Sequence, residues 1–157
     1  MTEVLQNYGM VFLVSMTPLA ELRGAIPLGV MLDLPPFGIW LVSVLGNMVP
    51  VPFIILFIRE IFCWMERRGG KLAGLVHRLR KKAERNAELF YKYELLGLLI
   101  LVAIPLPGTG AWTGALVAAM LGLRLKAAVP AIGIGVCIAG VAVLIISHGV
   151  EAVFTVV

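Results

Sequence analysis

Two charged residues, Glu21 and Arg23, lie two positions apart in the segment ELRGAIP, which is otherwise apolar and has apolar sequence on both sides. A buried arginine keeps its proton, and its planar guanidinium offers five N–H donors that match the oxygens of carboxylates and phosphates. A carboxylate in such surroundings is costly unless it is paired, hydrated or able to take up a proton. The pair therefore predicts a site for an anion, a proton or both.

A second segment with unusual chemistry is PLPGTGAW, at residues 105–112. Its prolines interrupt a helix, and its glycines permit a positive-φ turn and a close approach of the backbone to a ligand. The threonine hydroxyl can cap the helix that follows, and the tryptophan either lines a cavity or packs as a wedge. The candidate site residues in this segment are Pro107, Gly108, Thr109, Gly110 and Trp112.

The composition of the chain indicates whether these segments lie in water or in lipid. Of its 157 residues, 61% are hydrophobic and 14% are charged, and the mean hydropathy is +1.01. Such a chain is too apolar to expose its surface to water, so we predict an integral membrane protein. The two cysteines define no disulfide framework, and we interpret both as packing residues. No metal site or cofactor is expected.

Helix length divides the apolar segments into two kinds. A bilayer core of about 30 Å needs about 20 helical residues, and the uncharged segments 37–58 and 127–146 are long enough. The other segments are about half that length and form two pairs, 4–16 with 24–32 and 95–106 with 111–123. We call the joins within these pairs the first tip (TPLAELRG, residues 17–24) and the second tip (PLPGTG, residues 105–110).

The distribution of positive charge predicts the topology. Ten of the 13 Lys and Arg residues lie between Arg59 and Lys92, which places this connector in the cytoplasm. If each pair of short segments is a re-entrant hairpin that returns to the face it entered from, Arg124 and Lys126 are cytoplasmic as well. The remaining positive charge, Arg23, lies at membrane depth. Both termini are then external.

The predicted fold is an all-α integral membrane protein built as an inverted repeat. Each half has a re-entrant helical hairpin followed by a transmembrane helix: residues 1–60 form the first half and residues 93–157 the second. An offset of 87 residues superimposes Pro18 on Pro105 and Gly46 on Gly133. Residues 61–92 are predicted to form an amphipathic cytoplasmic connector on the inner leaflet. Inverted repeats with broken helices are a recurrent transporter architecture.

The ligand predicted for the tips is an anion. The helix that follows each tip directs its free N–H groups and positive dipole end into the membrane interior, close to Arg23. A phosphate is favoured because arginine offers it a bidentate fork. Glu21 is interpreted as a substrate or proton residue, or alternatively as a structural partner of Arg23. Asn47, in the first long segment, forms either an interhelical hydrogen bond or a ligand contact.

Several other functions are not supported by the sequence. Motifs for a catalytic nucleophile, for paired catalytic carboxylates and for soluble phosphate loops are absent from the sequence, so we do not expect an enzyme. The basic connector belongs to no nucleic-acid-binding module. A stripe of small residues in the last segment indicates close helix packing, within one chain or in a homodimer. Its members are Ala128, Ala131, Gly135, Ala139 and Ala142.

The segments ELRGAIPLG and PLPGTGAWTG resemble the two signature regions of the small multidrug export protein family of prokaryotic inner membranes. That family is itself similar to the DedA or VTT superfamily, and the resemblance covers nearly the whole chain. It implies a proton-coupled transporter, or a lipid flippase or scramblase acting on polyprenyl phosphate or phospholipid. The positions of this chain to which the resemblance assigns a functional role are Glu21, Arg23, Pro107, Gly108 and Gly110. Unlike typical DedA proteins, the chain is short and has no arginine or acid in its second tip.

The sequence is compatible with three functions. The first is a transporter or flippase, with possible coupling to protons, that binds an anionic, phosphate-bearing substrate between the tips. The second is a proton-coupled exporter of cationic drugs, in which Glu21 exchanges a cation for a proton. The third is a membrane assembly factor that transports nothing, for which the tips would be rigid packing devices.

Overall fold

The computed structural model describes residues 2–68, 87–106 and 109–156. Within these ranges the chain forms helices and no strand, which confirms the predicted all-α class. The helices are α1 (Thr2–Met16), α2 (Glu21–Met31), α3 (Pro36–Met48), α4 (Pro50–Arg68), α5 (Ala87–Ala103), α6 (Ala111–Met120) and α7 (Leu125–Val156). The predicted amphipathic connector lies mostly outside the described residues.

Prolines account for several of the helix boundaries. α1 ends at Met16, two residues before Pro18, and α3 begins at Pro36, where a missing N–H costs nothing. α3 and α4 are separated only by Val49, just before Pro50, so this long apolar segment is kinked as predicted. Pro27 lies inside α2 and cannot donate to the carbonyl of Arg23, which loosens the backbone beside the guanidinium.

Two helical stretches are long and apolar enough to cross a bilayer. They are Pro36–Ile61 and Leu125–Gly149, with mean hydropathies of 2.3 and 2.7. α2 and α6, with 11 and 10 residues, are only about 16 and 15 Å long and cannot span alone. Large apolar side chains such as Phe53, Phe57 and Ile145 point outward. This apolar exterior suits lipid as the surrounding solvent.

The helices pack in two matching sets. α1 packs on α3, and in the same way α5 packs on α7. Each short helix also crosses to the other half of the chain, because α2 packs on α7 and α6 packs on α4. α3 and α7 contact each other between the two sets. The order of a helix, a break, a short helix and a long helical stretch therefore occurs twice.

Glycines allow the close approach of helices within each half. A Cβ placed on Gly46 would lie 2.7 Å from the carbonyl oxygen of Phe12, and one on Gly135 would lie 2.9 Å from that of Leu99. Leu99 is related to Phe12 by the offset of 87 residues found in the sequence. Gly133, which this offset pairs with Gly46, makes only ordinary contact with Met48. The glycine that packs like Gly46 is therefore Gly135.

The long helices α3 and α7 run in opposite directions where they meet. Gly140 approaches Trp40 near the start of α3, whereas Gly133 approaches Met48 at its end. The indole N–H of Trp40 also donates to the carbonyl of Cys137 at 3.2 Å. Rising residue numbers in α3 thus meet falling numbers in α7.

The small-residue stripe of α7 packs inside the chain. Ala128, Ala131, Gly135 and Ala139 are buried, and Ala142 is half-buried. Of the two open alternatives, the described residues therefore favour packing within one chain. Of the cysteines, Cys137 is half-buried, while Cys63 is exposed on α4 and so does not pack in the interior.

Candidate functional site

Arg23 joins the two tips. It is the third residue of α2, and its guanidinium donates to the carbonyl oxygen of Thr109 and, at 3.1 Å, to the Thr109 hydroxyl. The two residues are 86 positions apart in the chain. The structure therefore brings together the two segments that the sequence marked as chemically unusual. A carbonyl is a fitting partner because a guanidinium can only donate.

Glu21 binds the second half of the chain through a helix terminus. Its carboxylate oxygen Oε1 accepts a hydrogen bond from the backbone N–H of Trp112 at 3.2 Å. Trp112 is the second residue of α6, so its N–H is one of the donors that the helix itself leaves free. The positive end of the helix dipole adds to the attraction for a carboxylate. Glu21, 7% exposed, is therefore a cap for α6.

The backbone of Glu21 is strained. Its φ of 46° lies in the left-handed region, which costs a residue with a side chain about 1 to 2 kcal/mol. This conformation occurs at the first residue of α2. Strain of this kind persists only where the surrounding structure imposes it, and it is often found at functional sites.

The charged pair is not closed on itself. Among the described residues, the hydrogen bonds of Arg23 go to Thr109, and that of the Glu21 carboxylate comes from Trp112. The structural partnership with Arg23, one of the two interpretations of Glu21, thus includes no hydrogen bond between the two side chains among the described residues. Each charge instead binds the other half of the chain.

Gly110 makes room for the carboxylate. A Cβ built on Gly110 would lie 2.6 Å from Cδ of Glu21 and closer still to Oε2. Gly110 is the N-cap of α6 and has an extended φ of 163°, so the expected positive-φ turn is wrong for this glycine. The expected close approach is present, but the group that approaches is the protein's own carboxylate. Pro107 and Gly108 lie outside the described residues.

Thr109 caps a different helix from the one predicted. Its Oγ1 lies 2.8 Å from the carbonyl oxygen of Ile104 and 2.9 Å from that of Leu106. These carbonyls follow the end of α5, whereas α6 has no side-chain cap at its N-cap residue, Gly110. The predicted capping of α6 by the threonine hydroxyl is therefore wrong. The hydroxyl closes the second tip and accepts from Arg23.

Trp112 packs across the tips. Its indole N–H donates to the carbonyl of Met16, the last residue of α1, at 3.2 Å. Met16 has Thr17-Pro18 after it, so its carbonyl lies next to the break in the first hairpin. Of the two interpretations of Trp112, the structure favours the packing wedge. The backbone N–H of the same residue holds Glu21.

A small cavity lies where the tips meet the long helices. Its volume of about 10 Å³ suffices for the centre of one water molecule. Glu21, Arg23 and Asn47 form its polar wall, Pro105 and Gly110 contribute the second tip, and the α7 residues are apolar. The predicted proximity of Arg23 and the second tip is thus accompanied by a shared cavity.

The cavity lies near the middle of the long helices. Asn47 is 11 residues from Pro36 and 14 residues from Ile61, the ends of the first candidate span. Ala139, on the opposite wall, is 14 residues from Leu125 and 10 from Gly149. If these helices cross a bilayer, the charged pair is close to the bilayer centre.

Asn47 has an oxygen without a partner. Its Oδ1 and the hydroxyl of Ser43, one turn away on α3, are both buried and form no hydrogen bond in the described structure. The Asn47 oxygen therefore takes no part in the interhelical hydrogen bond that is one of the two predicted roles of this residue. A buried polar group left unpaired costs about 1–3 kcal/mol, so such an atom favours a bound water or ligand. Ser43 was not among the predicted site residues, although two polar residues at i and i+4 in an apolar span are a usable signal.

A second arginine makes a similar contact far from the tips. Arg59 of α4 donates to the carbonyl of Leu123, in the turn between α6 and α7. Arg59 lies two residues from the end of the candidate span Pro36–Ile61, whereas the cavity lies near the middle of that span. Its position in the sequence had predicted only a cytoplasmic charge.

Comparison with known families agrees with the resemblance of the two tip segments. The sequence model of a family described as "Putative small multi-drug export protein" matches residues 21–142. The chain belongs to this family. The match begins at Glu21 and includes the second tip, so Glu21, Arg23 and Thr109 all lie within it. No curated protein and no solved structure matches the chain.

Proposed function

We propose that this export-family protein moves an anionic, phosphate-bearing substrate across the prokaryotic inner membrane and binds it between the two tips. The observation that supports this most directly is the contact of Arg23 with Thr109 beside a cavity at mid-span. An arginine at that depth costs about 3 kcal/mol even on lenient insertion scales. A binding role accounts for its presence there.

The architecture of the repeat supports alternating access. α3 and α7 run antiparallel, and the contacts of α1 with α3 and of α2 with α7 have counterparts in the second half. α1 packs on α2 more extensively than α3 packs on α4, as expected if the chain reverses direction at the first tip. An inverted repeat of two re-entrant hairpins has these properties. The basic connector is then cytoplasmic, and both termini are external.

The chemistry of Arg23 supports a phosphate group as the ligand. The hydrogen bonds to Thr109 involve only one of its terminal nitrogens, Nη2. A guanidinium has five donors, so others remain for a bidentate contact with a phosphate. A phospholipid or a polyprenyl phosphate carries such a group next to an apolar chain, which suits the apolar exterior. The protein is then a lipid flippase or scramblase.

Glu21 is the proposed proton carrier. It lies beside Arg23 and is held by one backbone N–H, so both its charged and its neutral form have a partner. Neutralising the carboxylate weakens its attraction to the α6 terminus, because the interaction with the helix dipole is lost. Proton uptake can thereby be linked to a rearrangement of the tips.

The test uses proteoliposomes that contain a fluorescent phosphatidylglycerol, with transport measured by quenching of the outer leaflet. We expect Arg23→Ala to abolish movement of the lipid, and Arg23→Lys to weaken it because a point charge replaces a fork. Arg59→Ala is the matched control, because it removes the same side chain and a similar bond to a carbonyl far from the cavity. Its rate should stay near that of the wild type when compared per folded protein.

The result also decides between the proposed function and the two other functions. Full activity of Arg23→Ala would overturn the proposal. The family description favours a second candidate, export of lipophilic cations with Glu21 as the exchanging acid. A fluorescent cation is therefore assayed in the same vesicles, and its transport by Arg23→Ala but not by Glu21→Gln would favour drug export. If neither probe moves with the wild-type protein, both functions fail and an assembly role is favoured.

A further inference from the structure

The acidic side chain at the second tip stands where an anionic ligand would bind. Glu21 places one carboxylate oxygen on the Trp112 N–H and the other against Gly110, at the N-terminus of α6. That terminus faces Arg23 and the shared cavity. Free backbone N–H groups, a helix dipole and a guanidinium are the donors with which proteins bind phosphate.

A second observation shows that this position is a site and not only a helix terminus. Asn47, 1% exposed, lines the same cavity and has an unpaired amide oxygen. An amide can turn over and present its NH2 group to an anion, or keep its oxygen towards a protonated acid. The polar wall of the cavity therefore has a further group, the Asn47 amide, that can bind a ligand in addition to the N–H group now bound by the Glu21 carboxylate.

We propose that the Glu21 carboxylate occupies the subsite of the substrate's phosphate group, and that carboxylate and phosphate replace each other during transport. This inference rests on the proposed function and adds its mechanism of exchange. The phosphate binds the α6 N-terminus and Arg23 when Glu21 leaves. The released carboxylate takes up one proton. This proton offsets one negative charge of the phosphate that enters the cavity. The returning carboxylate loses that proton and expels the phosphate.

Gly110 gives this proposal a steric test. A methyl group on Gly110 would fill the space that the carboxylate now occupies. Because its φ is extended, alanine can adopt the same backbone conformation. Gly110→Ala should therefore block the subsite for carboxylate and phosphate alike. The matched control is Gly97→Ala on α5, where a Cβ would meet nothing within 4 Å.

The experiment measures sulfate binding to the purified protein through the rise in its melting temperature at constant ionic strength. Sulfate has the tetrahedral shape of phosphate, and its charge does not change between mildly acidic and neutral pH. We expect Glu21→Ala to bind sulfate about tenfold more tightly than the wild type, the factor expected for losing a competing charge-assisted hydrogen bond. Glu21→Gln, which can still accept from Trp112, should gain less.

The dependence on pH provides a second readout. The charged residues among the described residues that line the cavity are Glu21 and Arg23; α3 contributes Asn47, and α7 contributes apolar residues. Wild-type affinity for sulfate should rise as the pH falls, because a protonated Glu21 releases the helix terminus. The affinity of Glu21→Ala should not change over the same range. A parallel rise in both proteins would overturn the exchange.

The double variant Glu21→Ala with Gly110→Ala distinguishes two causes of tighter sulfate binding. One is that sulfate enters the space left by the carboxylate, and the other is only the loss of a negative charge nearby. Without the carboxylate the added methyl group has space, so the double variant should be more stable than Gly110→Ala alone. If the subsite is real, the double variant loses the gain in sulfate affinity; if the gain persists, the proposal is wrong. Unchanged binding by Arg23→Ala would overturn the proposed function. Loss of binding by Arg23→Ala, with no gain for Glu21→Ala, would overturn only the exchange.

Discussion

Replacement of Gly46 by alanine tests the packing of the first hairpin on α3. The added Cβ would lie 2.7 Å from the carbonyl oxygen of Phe12 and 3.1 Å from its Cδ2, and closer still to Oγ of Ser15. The serine oxygen can rotate away, but the backbone carbonyl cannot. α1 must therefore move away from α3 by several tenths of an ångström.

The expected cost follows from two opposing terms. Overpacking of an interior costs about 1–3 kcal/mol, whereas Gly→Ala inside a helix contributes about 1 kcal/mol of stability. The net effect is a destabilisation of up to about 2 kcal/mol, since the gain in helix propensity offsets part of the strain. Gly133→Ala, at the position that the 87-residue offset pairs with Gly46, meets only Met48 at 3.5 Å and should be neutral or slightly stabilising.

The assay is thermal unfolding in detergent, followed by tryptophan fluorescence. Gly46→Ala should melt below the wild type and Gly133→Ala at or above it. Ser15→Ala should cost less in the Gly46→Ala background than in the wild type, because the added methyl group has already displaced the hydroxyl. If Gly46→Ala melted at or above the wild-type temperature, the close packing of α1 on α3 would be refuted.

Two further predictions concern buried hydroxyls and topology. Ser15→Ala should cost about 1 kcal/mol, because it removes a bond of 2.7 Å to the Phe12 carbonyl; Ser43→Ala, which removes an unpaired hydroxyl, should be neutral or stabilising in melts of the same kind. In a chain without native cysteines, Asp33→Cys should react with an impermeant thiol reagent from outside, and Leu125→Cys only from the cytoplasm. External labelling of the second position would contradict the re-entrant hairpin of the second half.

The lipid surroundings of the chain and the order of its helices could be predicted from the sequence, because both depend on local properties. Apolar length separates the spans from the short helices, and prolines such as Pro18, Pro36 and Pro50 mark helix ends by removing an N–H and fixing φ. The two tips were recognisable because glycine, proline and charge are rare inside apolar helices. These properties do not depend on how distant parts of the chain meet.

The partners at the site required the tertiary structure. A structural pairing with Arg23 was one of two interpretations of Glu21, yet the hydrogen bonds of both side chains go to the second half of the chain. Sequence distance could not reveal that the second tip, which has no acid of its own, receives one from the first. A helix N-terminus attracts whichever anion the fold brings to it.

The details of helix packing were also decided by three-dimensional contacts. The offset of 87 residues paired Gly46 with Gly133, but the glycine that lies against the preceding helix of the second half is Gly135. Likewise, the sequence left an interhelical bond and a ligand contact open for Asn47, and only the structure shows that its oxygen has no partner among the described residues and that the residue lines a cavity. The apolar segments, the positions where helices break and the order of the helices follow from each residue's own preference for lipid, for water or for a backbone angle. Which groups touch depends on the rotation and crossing of helices, and these are set jointly by side chains far apart in the chain.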